Sequence, residues 1–352
     1  MDAVLRESYS QRGAVFESDL GRPAHFGDAA AELRAALDAS ALVDRSSLAR
    51  ILATGADALD LLHRLSTGDL KGLRPGEGKP TVLTSPKGRI VERLFVHHLG
   101  AEGLLLVGGP GSASRVRAHV GRYALREDVA LTDMTDASTQ FAIVGPGGRD
   151  AAAAAGLPAV PPWGSVAGAL AGVPVQFLGE DGLSSEGLSV VLPSMTAAAA
   201  WEELARAVET AGGRPAGDAA AEAWRVLRGL PATGLELTED HNPLEAGLRD
   251  AVSFSKGCYV GQEVVARLDT YDKVARSLFG FVLPLGTIPP AAGTPVLLGE
   301  HVVGTVTSAL VPPGRRAPVA IAYVKRDVPA GAALGIGEAT SVPLALPFRD
   351  TP

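Results

Sequence analysis

Glycine or proline interrupts every long apolar run in this 352-residue chain, which holds 42 glycines and 25 prolines. No uninterrupted apolar stretch approaches the roughly 20 residues that a membrane-spanning helix needs. Hydrophobic residues still make up 46% of the chain, ample for interior cores. Many short elements packed in layers satisfy both facts. At this length two or three compact units are expected rather than one core.

The pattern of those elements is mixed. Residues 28–41 predict an alanine-rich helix, 50–55 a strand and 56–65 a helix. Residues 81–98 read as two strands joined by the turn Pro86-Lys87-Gly88. A strand at 104–107 and a polar helix at 112–123 follow, and the alternation repeats near Phe141 and the alanine run from Ala151. Residues 156–174, rich in Gly, Ala and Pro, predict an irregular connection. Strands at 175–178 and 188–193 precede a helix at 196–211. After Lys273 the character changes to short β-rich runs separated by Gly and Pro, the spacing of a small antiparallel barrel or sandwich. An α+β chain results, with units at 1–270 (two subdomains, discontinuous) and 271–352.

Composition excludes several function classes. A net charge of -7 and a pI near 5.6 argue against a surface built for nucleic-acid backbone. A single cysteine excludes an intrachain disulfide and fits a reducing compartment. The first seven residues have two acids and no apolar core, so no secretory leader is expected there, and a cytoplasmic protein without membrane contact is. Gly145-Pro146-Gly147-Gly148 lacks the third glycine of a dinucleotide turn, since Asp150 stands in its place. His97 and His98 are adjacent on a strand and point to opposite faces, so no metal site is expected.

The chain's one cysteine lies in the run Ser255-Lys256-Gly257-Cys258-Tyr259-Val260-Gly261-Gln262-Glu263. A thiol beside a cation ionises more readily, and Gly257 and Gly261 allow a tight path that presents it. Cys258 is on this reading a reactive group assisted by Lys256. The other reading is a small buried hydrophobe, the usual fate of a free cysteine. Glu186, behind two serines and before a glycine, is a turn-mounted carboxylate suited to a bidentate N–H edge, or a solvated turn acid.

The run Lys-Gly-Cys-Tyr-x-Gly-Gln-Glu resembles the signature of YgfZ-type folate-binding proteins, relatives of the aminomethyltransferase (T-protein) of the glycine cleavage system. Ser184-Ser185-Glu186-Gly187-Leu188 resembles a shortened form of that family's pterin-binding turn. The segment opening at Arg225 resembles its Arg-Leu-Glu-Ala-Gly-Leu run, and residues 242–248 and 344–348 also follow its pattern. The resemblance implies two α/β units sharing a folate channel that a C-terminal β-barrel closes. It implies tetrahydrofolate or a one-carbon derivative, its pterin toward Glu186 and Arg225, with Cys258 and Lys256 as the reactive pair. Gly257, Tyr259, Gly261, Gln262 and Glu263 would shape the loop. It further implies iron–sulfur client proteins as partners, with a role in cluster assembly or repair and, indirectly, in tRNA modification.

One departure stands out. The T-protein's Gly-Gly-Ile-x-Asp-Asp run corresponds to residues 88–93 here, so that Glu92 and Arg93 replace the two aspartates. Folate binding is untouched by this change, whereas aminomethyl transfer loses its acidic pair. Two alternatives therefore stand beside the accessory role: a folate-dependent aminomethyl or demethylating enzyme, and a non-catalytic scaffold.

Overall fold

A computed structural model describes residues 3–17, 21–179 and 187–348. Three sheets carry it. The first has six strands in the order Arg214–Ala216, Ala41–Asp44, Ser138–Val144, Leu188–Pro193, Val173–Gly179 and Ser165–Leu170. Only its first two strands pair in parallel. Side chains alternate across it, as strand geometry requires. Leu42, Phe141 and Ile143 face a core completed by Trp201, while Ala41, Val43, Ala142 and Val144 face a core shared with Trp224. Helix Ala197–Thr210 covers one face, and helices Ala29–Asp38 and Asp218–Leu227 the other.

The second sheet has five strands in the order Gly78–Thr84, Ile90–His98, Leu104–Pro110, Leu48–Thr54 and Ala130–Asp133, all antiparallel. Helices Ala58–Leu65 and Ala113–Gly121 bury Leu94, Val96, Leu104 and Leu106 on one face. On the opposite face Phe95, Leu105 and Val107 meet Leu178 of the first sheet. The third sheet, six antiparallel strands from Arg276–Val282 to Ala339–Ser341, forms a curled C-terminal layer. Bulges between Val296 and Leu297 and between Val306 and Ser308 bend it. Helix Asp218–Leu227 packs between this sheet and the first, against Val319 and Ile321.

The strand pair expected in 81–98 is present, with Val82 opposite Arg93. The expected irregular stretch at 156–174 is corrected: Ser165–Leu170 is a strand. Its Ala and Gly residues have little intrinsic preference for one, but six consecutive pairings with Val173–Gly179 hold it at the sheet edge. Ala171 and Gly172 close that hairpin, both at positive φ. Among the described residues no helix is long and apolar enough to cross a membrane.

Candidate functional site

Two adjoining cavities lie among the three sheets. The first, about 340 Å³, is lined by Asp44 and Val43 of the first sheet, Leu48 and Pro110 of the second, and Arg225 and Trp224 of the intervening helix. The second, about 680 Å³, is lined by Phe95, Trp163, residues 244–248, Asp250, Ala251, residues 277–279 of the third sheet and residues 345–347. Arg93, Leu230 and Pro231 belong to both walls.

Strand alternation explains why Arg93 is there. Its neighbours Leu94 and Val96 point under the helices, which leaves Arg93 and Phe95 on the face toward the cavities. The Arg93 guanidinium carbon lies 5.0 Å from the centre of the Phe95 ring. Phe95 in turn stacks on Trp163, with centroids 5.4 Å apart and planes within 6°. Trp163 has a φ of 60°, a conformation that a bulky side chain rarely adopts. Together these three residues make a flat aromatic and cationic wall.

Glu92 takes the other face and is fully buried. Its carboxylate accepts from Gly109 N (3.2 Å) and Thr233 Oγ1 (2.6 Å), and is paired with Arg115. A Cβ at Gly109 would come within 2.0 Å of Thr233 Oγ1, so this close approach needs glycine. Glu92 lines neither cavity.

Arg225 sits near the end of helix Asp218–Leu227 with its guanidinium drawn into a polar knot. It donates to Glu222 (2.6 and 2.8 Å), Leu230 O (2.7 Å), Ser308 Oγ (2.8 Å) and Glu236 (3.2 Å). Burial disfavours its charge, but Glu222 and Glu236 outweigh burial and its pKa is raised. Fully buried Glu236 also accepts from Ala232 N (2.9 Å) and Ser308 Oγ (2.6 Å). Arg225 therefore ties the first cavity's wall to the third sheet. Glu186, the expected pterin partner, lies outside the described residues.

The cysteine loop is built differently. Lys256 is buried, and its ammonium donates to the carbonyls of His63 (2.5 Å), Ser66 (2.7 Å) and Gly68 (2.7 Å). These carbonyls lie at and just beyond the end of helix Ala58–Leu65, where backbone acceptors lack partners and a cation is favoured. Burial lowers the lysine pKa to about 8, which still leaves it charged at neutral pH. All three of its N–H groups are committed to oxygen, leaving none for the Cys258 sulfur. Tyr259 is buried beneath the ammonium, 5.1 Å from it, and burial raises its pKa to about 12.

Gly261 has a φ of 82°, and a Cβ there would meet Ser85 O at 2.5 Å and Gly88 Cα at 2.9 Å. It locks the loop onto the turn at 85–88, just before helix Gln262–Thr270, on which Gln262 and Glu263 occupy the first turn. Gly257 has open space around it and needs no such allowance. Cys258 is exposed. Residues 244–248, 250 and 251 line the second cavity, but residues 252–263 line neither. Arg225 thus belongs to the cavities and Cys258 to the outer surface beyond their rim.

The expected residues leave out three that matter for the cavities: Arg93, which lines both, and the Phe95–Trp163 pair. The two-residue period of the strand at 90–98 already separated Arg93 from Glu92. Nothing in the sequence brings Trp163 to Phe95. Among the described residues no group of three or more His, Cys, Asp or Glu could hold a metal ion.

A mixed α/β protein of three packed sheets, with adjoining cavities of ligand size among them, is the class this architecture defines. A profile of the GCVT N-terminal domain matches residues 5–256, and the chain belongs to that family. It is similar to the aminomethyltransferase of Symbiobacterium thermophilum, 28% identical over 312 residues, or 86% of this chain and 83% of that protein. It is also similar to the aminomethyltransferase of Streptomyces coelicolor, 29% identical over 321 residues, 90% of this chain and 86% of the relative. The fold matches the crystal structure of glycine cleavage system aminomethyltransferase T from Bartonella henselae with a TM-score of 0.82 at 24% identity, covering 98% and 97% of the two chains. The architecture is accordingly the T-protein fold, its C-terminal sheet curled into a half-barrel.

Proposed function

We propose that this protein binds tetrahydrofolate, or a one-carbon derivative, in the adjoining cavities, and serves as a YgfZ-type accessory protein rather than an aminomethyltransferase. The observation that supports this best is the fate of the two positions where the T-protein pattern has aspartates. Glu92 is sealed among three donors on the far face of its strand, and Arg93 presents a guanidinium to the cavities. A general base must reach the proton it removes, and neither group meets that condition.

The residues that do line the cavities fit a folate. Phe95 and Trp163 offer a flat surface to an aromatic ring, Arg93 and Arg228 offer cations to carboxylates, and Arg225 stiffens the wall around the smaller cavity. When bound, tetrahydrofolate would supply one-carbon chemistry. In this reading Cys258 is the reactive group, presented outward toward iron–sulfur client proteins in cluster assembly or repair and, through cluster enzymes, in tRNA modification. Lys256 fixes the loop that carries it. A cytoplasmic location and a division of the chain at 270/271 belong to the same proposal.

Calorimetric titration with tetrahydrofolate tests the binding. Micromolar affinity is expected, lost in Glu186→Ala; a well-folded protein that binds no folate would remove the proposal. Cells carrying only Cys258→Ser should lose activity of cluster-containing enzymes at normal abundance of the variant. Unchanged activity would detach the thiol from that role. The names of the sequence relatives favour a second reading, aminomethyl transfer to tetrahydrofolate. Turnover of an aminomethyl donor above background, abolished by Glu92→Gln, would establish it instead.

A further inference from the structure

We infer that the surface formed by the turn at 85–88, helix Gln262–Thr270, residues 271–276 and the end of strand Val319–Lys325 docks an acidic segment of a partner protein. A pair of like charges carries this furthest. Arg276 and Lys325 stand directly opposite each other on adjacent antiparallel strands. Residues paired in this way share one face of the sheet, with Cβ atoms about 5 Å apart, and like charges there repel. Both side chains are exposed, and among the described residues neither forms an ion pair. No acid of the chain is paired with either of them, so an anion brought by another molecule is what would offset the repulsion.

The pair belongs to a wider positive face. A Cβ at Gly88 would lie 3.0 Å from Val264 Cβ, so helix Gln262–Thr270 rests on the turn that carries Lys87. The chain then runs through Lys273 to Arg276, where Arg326 N donates to Ala275 O (3.0 Å). Lys87, Arg267 and Lys273 are exposed along this path. Two acids on it are already taken: Asp269 pairs with Arg249, and Asp272 with Arg326 at 2.8 Å. Glu263 and Asp327 are left against Lys87, Arg267, Lys273, Arg276 and Lys325. In a chain of net charge -7 this is a local reversal of sign. Tyr271, 65% exposed, and Val264, 38% exposed, add apolar contact points among the cations. A carboxylate-bearing segment suits this face better than a nucleic acid, because the net negative charge of the chain repels a long polyanion that runs past it. None of the five cations lines either cavity, so this docking face is independent of folate binding.

Calorimetry on the full chain, with a peptide of repeated Glu-Asp-Leu and its Lys-Arg-Leu counterpart, tests this face. The acidic peptide is expected to bind at least about tenfold tighter than the basic one at about 0.01 M salt. The preference should vanish at about 1 M, where the screening length falls to about 3 Å. Lys325→Glu separates docking from folding. It turns the cross-strand repulsion into an attraction, so it should raise the midpoint of urea unfolding and yet weaken the acidic peptide about fivefold or more. Arg267→Glu, on the exposed side of the helix, should weaken the peptide to a similar degree. Equal or absent binding of the two peptides, or binding of the acidic one that survives both reversals, overturns this inference. So does a urea midpoint that fails to rise in Lys325→Glu, since the like-charge cost would then be missing. Tighter binding of oligouridylate than of the acidic peptide would assign the face to nucleic acid and overturn it as well.

Discussion

Lys256 on the cysteine loop is a buried cation, and Arg93 on the cavity wall is a partly buried one. Every N–H of the lysine ammonium ends on a backbone carbonyl of residues 63–68. The arginine lines two cavities of about 340 and 680 Å³. The loop holds the densest motif in the chain, yet its lysine is spent on backbone. The wall has no compact motif, yet it surrounds the space a ligand could fill. Density of sequence signal marks where backbone geometry is demanding, and this is a different place from where the cavity is.

The largest effect should come from removing the loop's anchor. Lys256→Met leaves three carbonyls without their donor and should cost about 3–5 kcal/mol of stability in urea unfolding. A loss below about 1 kcal/mol would break the comparison, since the loop would then not depend on its lysine.

The wall side has its own sensitivity, to acid. His241 stacks on Tyr323 with centroids 3.5 Å apart, and its carbonyl accepts from Ile90 N. Burial, with Arg276 and Arg89 adding to it, lowers its pKa to about 4, although Asp240 and Glu236 oppose; Glu245 also lies 3.9 Å from its Nδ1. The unfolded chain therefore takes up this proton before the folded one does. Stability linked to His241 is complete above about pH 6.5 and is lost as pH falls toward 4, by up to about 3 kcal/mol. His241→Gln should flatten that part of the profile in urea midpoints measured between pH 7 and 4.5. An identical profile in the variant would assign the acid sensitivity elsewhere.

The two loop glycines sharpen the contrast within the motif. Gly261→Ala forces a Cβ onto Ser85 O from a positive φ and should cost about 2 kcal/mol. Gly257→Ala, facing open space, should stay within about 0.5 kcal/mol. Equal costs in thermal melts would mean that the motif's glycines share one role.

Local signals in the sequence carried far and then stopped at contacts between distant residues. The pair of strands around residues 86–88 is legible because alternation and a turn residue coincide there, and the β-rich run after residue 273 for the same reason. Helix Asp218–Leu227 lies outside the helices that the sequence predicts. Strand Ser165–Leu170 exists through its pairing partner rather than its own residues. The Lys256 carbonyl contacts span 188–193 positions, and no local pattern announces them. Arg225 lines the first cavity, and its knot with Ser308 and Glu236, 83 and 11 positions away, has no local sequence signal.

Residues 345–347 line the second cavity, Leu346 packs on Gly229, and Phe348 N bonds to Leu227 O. In a chain made from its N-terminus these residues leave the ribosome after every other residue that lines the two cavities. The helix carrying Arg225 and the strand carrying Arg93 can settle earlier, but the larger cavity stays open on one side until this closing segment arrives. Ligand capture thereby waits for this segment, and a bound ligand would report that synthesis had passed residue 348.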